Sequence, residues 1–218
     1  MDGESRSRFS SAACAAGGRN AAPVAVAACE VAAGWDAVVL VEGISDQVAL
    51  ETLATRRGRD LGSEGVGIVA MGGATSLGHF LDLFGPPGRD VKLAGLCDAA
   101  AERGFRRGLQ RAGLGPLTGR AGLERNGFFV CVADLEDELI RSLGAAAVEQ
   151  VVRDQGELGS FRRFQKQPAQ RGRTCQAQLR RFMGTRSGRK AQYAHLLAGA
   201  LDLTRLPRPL DRVLSHGN

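Results

Sequence analysis

The chain has 218 residues and a hydrophobic content of 44%, enough for one large domain or for a domain with an appendage. Its net charge of +6 is carried mainly by arginine, and the single tryptophan and single tyrosine exclude an aromatic platform for stacking bases. Five cysteines without a C-x-x-C pair, together with three scattered histidines, exclude a disulfide framework and a zinc site.

The N-terminal segment is predicted to stand apart from the core. Residues 1–20 are rich in Ser, Ala, Gly and Arg, which is typical of disorder, and the Ala-rich stretch from Ala21 to Ala33 is predicted to be a helix. The first residues include Asp2 and Glu4, so they resemble neither a secretory signal nor a membrane span. We therefore expect a cytoplasmic protein with no membrane partner.

Strands and helices alternate over the following hundred residues. Short apolar runs predict four strands that are buried on both faces, at Ala37–Val41, Gly65–Met71, Val91–Cys97 and Phe128–Ala133. Helical periodicity follows each strand, at Asp46–Arg57, from the Gly72–Ser76 turn to Phe84, at Glu102–Ala112 and at Glu136–Leu143. A Gly-rich link is expected before the last strand. This order predicts an α/β fold with a parallel four-stranded sheet and right-handed crossovers.

The rest of the chain is predicted to be helical. An Ala-rich helix reaches about Gln155, and further helices are predicted at Leu158–Phe164, Gln176–Met183 and Gly188–Leu201. Pro207 and Pro209 are expected to end the regular structure.

Charge divides the chain into an acidic and a basic part. Residues 153–218 carry a charge of +10, whereas residues 1–152 carry −4. Such asymmetry fits a metal-binding part followed by a part that binds a polyanion, or simply a solvated basic tail. We expect three parts: a tail with an Ala-rich helix at 1–34, an α/β domain at 35–150, and a basic helical C-terminal extension at 151–218.

Three of the predicted strands end in an acid: Glu42, Asp98 and Asp134. The carboxyl ends of parallel strands share one edge of the sheet, about 5 Å apart for neighbours, so these carboxylates are expected to lie close together. Clustered carboxylates repel one another unless a cation joins them, and oxygen ligands without His or Cys favour Mg²⁺ or Mn²⁺. Asp46 and Glu136 lie just beyond the edge and can complete a second site. The alternative is that these acids are helix caps and first-turn residues.

Five segments of the sequence carry a family resemblance. They are Leu40-Val41-Glu42-Gly43-Ile44-Ser45-Asp46, Met71-Gly72-Gly73, Asp98 after its apolar strand, Asp134-Leu135-Glu136-Asp137-Glu138-Leu139 and Gly188-Arg189-Lys190-Ala191. The first three resemble the Toprim domain of topoisomerases, primases and small nucleases. The last two narrow the resemblance to the Toprim half of OLD (overcoming lysogenization defect) nucleases, over about residues 38–206.

The resemblance implies a Rossmann-like Toprim sheet and two-metal cleavage of a phosphodiester. The chain is then a Mg²⁺-dependent phosphodiester hydrolase or nucleotidyl transferase, of the kind of an OLD-like Toprim endonuclease. By the same resemblance, Glu42 and Asp46 hold metal or handle protons, and Asp98 is the first acid of an Asp-x-Asp motif. Asp134 and Glu136 hold the second ion. Lys190 stabilises charge that develops on the phosphate, unless it is simply an exposed helix lysine.

Two features depart from the family pattern. Ala100 stands where the second acid of Asp-x-Asp is expected, and Glu102 could take its place if the turn is tight. The missing acid keeps a second hypothesis open, a catalytically weakened module that binds nucleic acid or a partner without cutting. The sequence also has no G-x-x-x-x-G-K-[ST] motif, so ATP dependence would require a separate ATPase partner. The Gly72–Ser76 turn could hold a substrate phosphate or be a plain strand-to-helix turn.

Basic residues of the extension are the candidates for nucleic-acid contacts. Contacts of this kind to phosphates give affinity and salt dependence rather than sequence choice. The candidates are Arg162, Arg163, Lys166, Arg171, Arg173, Arg180, Arg181 and Arg189. We expect DNA rather than RNA as the partner, and a homodimer is one of the assemblies that the sequence leaves open.

Overall fold

The computed structural model describes residues 34–216, and four parallel strands form its single sheet. The order across the sheet is β2-β1-β3-β4, with β1 at Ala37–Val41, β2 at Val66–Ala70, β3 at Lys92–Cys97 and β4 at Phe128–Val130. Every residue of β1 is buried, as its unbroken apolar sequence requires. The predicted parallel α/β architecture is confirmed. The tail and the Ala-rich helix predicted before residue 34 lie outside the described residues.

Ten α-helices accompany the sheet within residues 34–216. They are α1 Ile44–Arg56, α2 Leu77–Phe84, α3 Glu102–Arg111, α4 Gly119–Arg125, α5 Leu135–Leu143, α6 Ala145–Asp154, α7 Leu158–Gln165, α8 Cys175–Met183, α9 Arg189–Ala200 and α10 Arg208–His216. Short 3₁₀ helices lie at Ala74–Ser76 and Pro168–Gln170. None of the described helices combines the length and the apolar composition needed to cross a bilayer.

The sheet is covered on both faces because successive side chains of each strand point to opposite sides. Val39 and Val41 of β1 join an apolar cluster that includes Leu50 of α1. Val38 and Leu40 join a second cluster on the other face, with Phe80 and Phe84 of α2 and Phe105 and Leu109 of α3 among its members. The first two crossover helices thus lie on opposite faces of the sheet.

The basic helical extension packs onto the α/β part through helix α9. Tyr193 and Leu197 of α9 belong to the same apolar cluster as Leu50 of α1. Arg56, near the end of α1, donates its Nη1 to the carbonyl oxygen of Ala198 at 2.8 Å. The two stretches on either side of residue 150 therefore share one core.

Two predictions about secondary structure are wrong. Helix α4, Gly119–Arg125, forms within the predicted Gly-rich link and buries Leu123. Helix α10, Arg208–His216, follows Pro207, where the regular structure was expected to end. Pro209 lies in the first turn of α10, where a proline is tolerated because the amide has no partner within the helix.

Candidate metal centre

The carboxyl ends of β1 and β3 define a crevice at one edge of the sheet. The two strands are hydrogen-bonded neighbours, but the chain passes through β2 between them, with α1 on one face and α2 on the other. Open α/β sheets bind their ligands at such a switch point, outside the carboxyl ends of the strands. Glu42 follows β1 directly and Asp98 follows β3 directly. The topology therefore brings these two acids together.

Glu42 and Asp98 are joined by a hydrogen bond. The Asp98 amide donates to Glu42 Oε1 at 2.7 Å, so the side chain of one strand end is held by the backbone of the other. Burial raises the pKa of the Glu42 carboxyl, and this hydrogen bond opposes the rise. Glu42 is thus fixed in place at the crevice.

The turn after β2 supports Glu42 from the opposite side. The Gly73 amide donates to the Glu42 carbonyl oxygen at 2.9 Å. Gly72 and Gly73 have φ angles of 74° and 127°, which side-chain-bearing residues rarely adopt. The turn therefore supports the end of β1. The 3₁₀ helix that follows the turn is only three residues long.

Asp46 lies in the first turn of α1 and has two functions in the structure. Its Oδ2 accepts the Gly43 amide at 2.9 Å, which caps the helix as the structural alternative expects. Burial raises its pKa to about 7, and the nearby charges of Asp98, Glu136 and Glu42 add to the rise. Asp46 therefore caps α1 and also lies near Asp98, Glu136 and Glu42.

Asp98 responds to the same group of charges. Burial, followed by the charges of Glu42, Asp134 and Glu136, raises its pKa to about 7, while Lys190 opposes the rise. The other acids predicted as metal ligands thus each affect the pKa of Asp46, of Asp98 or of both. We call the five acids the carboxylate cluster: Glu42, Asp46, Asp98, Asp134 and Glu136.

Both carboxylate oxygens of Asp134 are already engaged. Asp134 caps helix α5, with Oδ1 accepting the Asp137 amide at 2.9 Å. Its Oδ2 accepts from Arg180 Nε at 2.6 Å, across 46 residues of sequence. Asp134 can bind a cation in this geometry only if Arg180 moves away.

Glu136 combines one paired oxygen with one unpaired oxygen. Its Oε2 accepts from Lys190 Nζ at 3.2 Å, whereas its Oε1 is buried and has no hydrogen-bond partner. Burial would lower the pKa of Lys190, but the charge of Glu136 and their hydrogen bond raise it instead. A buried carboxylate oxygen without a donor is costly, because it has lost its water and gained nothing in return.

The start of α9, which carries the half-exposed Lys190, is held by a network around the buried Arg189. The neighbouring Arg189 is only 6% exposed and donates to Glu157 Oε1 at 2.8 Å and to the Phe182 carbonyl oxygen at 3.1 Å. Its guanidinium carbon also lies 4.2 Å from the centre of the Phe182 ring. Tyr193 donates its hydroxyl to Glu157 Oε2 at 2.8 Å. The prediction that Arg189 contacts nucleic acid is therefore wrong in this structure, because its guanidinium is buried and bound to Glu157 and Phe182.

The other predicted nucleic-acid contacts lie on α7, α8 and the segment between them. Arg162 pairs with Glu149 at 2.6 Å, and Arg173 donates to the Ala169 carbonyl oxygen at 2.9 Å. Arg163 donates to the Ser160 hydroxyl at 3.1 Å. Lys166, Arg171 and Arg181 are exposed. Within residues 34–216, Arg180 is the one member of these eight whose side chain is hydrogen-bonded to the carboxylate cluster, through Asp134.

Glu102 does not replace the acid that is missing at position 100. Ala100 is exposed in the turn between β3 and α3. Glu102, in the first turn of α3, forms an ion pair with Arg120 at 3.0 Å. The suggestion that Glu102 reaches the metal site is therefore wrong in this structure, because its carboxylate is bound to α4.

Sequence analysis missed two acids that support the site. Glu157 holds the start of α9 through Arg189. The one feature of the sequence that could have singled it out is that it is one of four acids in the basic stretch 153–218. Glu138 is buried, accepts the Val132 amide at 2.6 Å and pairs with Arg141, so it fixes the turn between β4 and α5. Glu138 belongs to the acidic first turn of α5, and the pattern there did not distinguish it from its neighbours.

The donor set fits a hard divalent cation, although the side chains are not yet arranged around one. Within residues 34–216, no group of three or more His, Cys, Asp or Glu side chains could hold a metal ion as it stands. A divalent cation would offset the repulsion among the five carboxylates, two of which have a pKa raised to about 7. It would also give the unpaired Glu136 Oε1 a partner. Binding would require Lys190 and Arg180 to release Glu136 and Asp134.

Comparison with known families agrees with the predicted resemblance. The family model described as "Overcoming lysogenization defect protein-like, TOPRIM domain" matches residues 35–99, a range that includes Glu42, Asp46 and Asp98. Residues 35–99 therefore match an OLD-like TOPRIM model, in agreement with the resemblance that the sequence indicated for this stretch. No curated protein sequence matches the chain.

Solved structures of OLD proteins share the fold over most of the chain. The C-terminal region of the Burkholderia pseudomallei OLD protein is 17% identical, with a TM-score of 0.65 over 84% of this chain and 96% of that one. The C-terminal region of the Xanthomonas campestris pv. campestris OLD protein is 22% identical, with a TM-score of 0.64 over 84% of this chain and 92% of that one. At these identities, the likeness establishes the fold.

Proposed function

We propose that this chain is a Mg²⁺- or Mn²⁺-dependent phosphodiester hydrolase or nucleotidyl transferase that acts on nucleic acid. The observation that carries the proposal is the unpaired, buried Oε1 of Glu136 within a cluster of five carboxylates at the switch point of the sheet. A protein gains no stability from such an arrangement, so a bound cation is its simplest explanation. The OLD-like TOPRIM match at residues 35–99 supports this choice of chemistry.

The cluster divides naturally into two groups of ligands. Glu42, Asp46 and Asp98 surround the ends of β1 and β3 and would hold one ion, while Asp134 and Glu136 at the start of α5 would hold the second. When bound, ions in such a site activate water and stabilise charge on the leaving oxygen.

Lys190 is suited to stabilise negative charge on a phosphate. Its pKa is raised, so it remains charged throughout the range in which an enzyme works. Once Glu136 binds a cation, the Lys190 ammonium loses its present partner and can donate to a phosphate oxygen instead. Arg189, fixed by Glu157, sets the position from which Lys190 acts.

Cleavage of labelled plasmid and of single-stranded oligonucleotides in Mg²⁺ and in Mn²⁺ tests the proposal. We expect metal-dependent cleavage that Glu42→Gln lowers by on the order of 100-fold, because a preorganised charged group is lost. Asp82→Asn is the matched control, since Asp82 is an exposed acid on α2 outside the cluster. Absence of cleavage in both metals, or equal activity of the two variants, would refute the proposal.

A second function, metal-independent binding of nucleic acid or of a protein partner, is favoured by one observation. The position expected to carry an acid is Ala100, and Glu102 is paired elsewhere. This function predicts no heat of binding for Mn²⁺ in calorimetry and salt-sensitive binding of nucleic acid that does not change with metal. Ala100→Asp distinguishes the cases further, because a gain of cleavage would show that the alanine had disabled the site.

A further inference from the structure

The exposed side of helix α3 carries three arginines that pair with no acid among residues 34–216. Arg103, Arg107 and Arg111 are exposed and follow one another at intervals of four residues, so they form one stripe along the helix. Phe105 and Leu109 are buried on the opposite side, against the sheet. In the part of the chain that the structure describes, no ion pair involves any of the three arginines.

This stripe is unfavourable for the isolated protein. Like charges four residues apart on a helix repel each other, and the stripe contains two such pairs, Arg103 with Arg107 and Arg107 with Arg111. Arginines elsewhere in the described chain are paired with acids, as Arg180 is with Asp134 and Arg162 with Glu149. An external anion would relieve the repulsion on α3.

A glycine beside the stripe is explained neither by the backbone nor by packing. Gly104 is exposed, has no positive φ, and a Cβ placed on it would meet nothing within 4 Å. By contrast, a Cβ on Gly108 would lie 3.0 Å from Leu77, so close packing between helices accounts for that glycine. Glycine weakens a helix, and its lack of a side chain leaves bare backbone that another molecule can approach closely.

The stripe starts at the candidate metal centre and leads away from it. Helix α3 begins four residues after Asp98, so Arg103 lies nearest the carboxyl edge of the sheet. Eight residues of helix separate Arg103 from Arg111, a distance of about 12 Å. That length corresponds to roughly three or four nucleotides of one strand of a duplex.

We propose that the stripe of Arg103, Arg107 and Arg111, with Gly104 beside it, binds the phosphate backbone of nucleic acid next to the metal centre. The inference rests on the proposed function in so far as nucleic acid is the substrate. Guanidinium groups match phosphate geometry, and contacts to phosphates position a substrate without reading its sequence. The stripe thus orients a strand so that one phosphodiester reaches the carboxylate cluster.

Two triple variants with the same change in charge test this surface. Arg103→Gln/Arg107→Gln/Arg111→Gln removes the stripe. The control removes three exposed arginines remote from the carboxyl edge: Arg125, Arg205 and Arg212. Both are made in a Glu42→Gln background, so that substrate stays intact while the binding of a labelled duplex is followed by fluorescence anisotropy at salt concentrations from about 50 to 200 mM. Circular dichroism confirms that each variant is folded.

The stripe variant should reduce the slope of log affinity against log salt by about 2 to 3, because each lost phosphate contact removes roughly 0.9. The control should leave the slope unchanged. An unchanged slope in the stripe variant, or an equal reduction in both variants, would overturn the proposal. If wild-type protein cleaves in neither metal but the stripe variant still reduces the salt dependence of binding, the proposed binding surface is supported and the proposed enzymatic function is refuted.

Discussion

Arg180 Nε donates to Asp134 Oδ2 at 2.6 Å, so the guanidinium occupies an oxygen that the sequence assigns to a metal ion. This hydrogen bond to Asp134 raises the pKa of Arg180, which therefore stays positively charged. Under the proposed function, Arg180 and a divalent cation would compete for the same carboxylate, and binding of the cation would release the arginine.

Arg180→Gln should therefore tighten Mn²⁺ binding by a few-fold. The expected gain is limited to about five-fold, because an exposed ion pair contributes only about 0.2–1 kcal/mol. Isothermal titration calorimetry measures it, with Arg162→Gln as the control that removes an equally exposed, paired arginine on α7. Affinity that stays unchanged or falls in Arg180→Gln would contradict the competition.

The metal-free protein should become less stable as the pH rises toward neutrality. Asp46 and Asp98 have folded-state pKa values of about 7, above their ordinary value of 3.8, chiefly because of burial. Between these limits the native state binds more protons than the unfolded state, so the free energy of unfolding decreases with increasing pH. Urea unfolding across this range without metal measures the decrease.

A variant and an added metal ion test the cause of this pH dependence of stability. Asp46→Asn should reduce the pH dependence without abolishing it, because the amide does not titrate while Asp98 still does. Mn²⁺ added at neutral pH should restore stability, since a ligand that binds only the native state stabilises it. A free energy of unfolding that increases between pH 4 and 7 in Asp46→Asn and wild type alike would count against raised pKa values in the cluster.

Lys190→Met should lower the cleavage rate by on the order of 100-fold, while nucleic-acid binding changes little. The reason is that Lys190, which is hydrogen-bonded to Glu136, is proposed to act on one phosphate, whereas affinity is spread over many contacts. Lys166→Met is the matched control, because Lys166 is an exposed lysine of the same extension. Single-turnover cleavage and anisotropy separate the two effects, and equal rates for both variants would rule out the assigned role.

Glu157→Gln should destabilise the protein by about 2 kcal/mol. The substitution leaves the buried Arg189 without its carboxylate and weakens the bond from Tyr193, and breaking a hydrogen bond to a charged group has an effect of this size. Glu124→Gln is the control, because its partner Arg208 is 65% exposed and such pairs contribute little. Denaturant unfolding compares the two, and similar stabilities would show that the network does not hold α9.

The strands and the acids at their ends could be predicted because both are local signals. An apolar run such as Ala37–Val41 followed by Glu42 indicates a buried strand and its carboxyl end without further information. The pairing of Asp134 with Arg180 could not be predicted in this way, because 46 residues separate the partners. Arg189 illustrates the same limit, because the sequence alone does not distinguish an arginine buried against Glu157 and Phe182 from an exposed arginine.

The two missed helices have different causes. Glycines around α4 reduce helix propensity, yet Leu123 is buried and tertiary packing overrides the local preference. Pro207 and Pro209 were interpreted as an end of structure, although a proline in a first turn equally marks the start of a helix. Leu210, Val213 and Leu214 bury the apolar side of α10 and explain why it forms.

The shared packing of α1 and α9 ties the C-terminal helices to the sheet. A fragment ending near residue 150 would expose Leu50 and Leu53 to water, together with the side of the sheet behind them. Such a truncation is expected to aggregate rather than to yield a smaller catalytic unit. The surface residues of the C-terminal helices can thus be exchanged, but the helices cannot be removed without destabilising the sheet that positions Glu42.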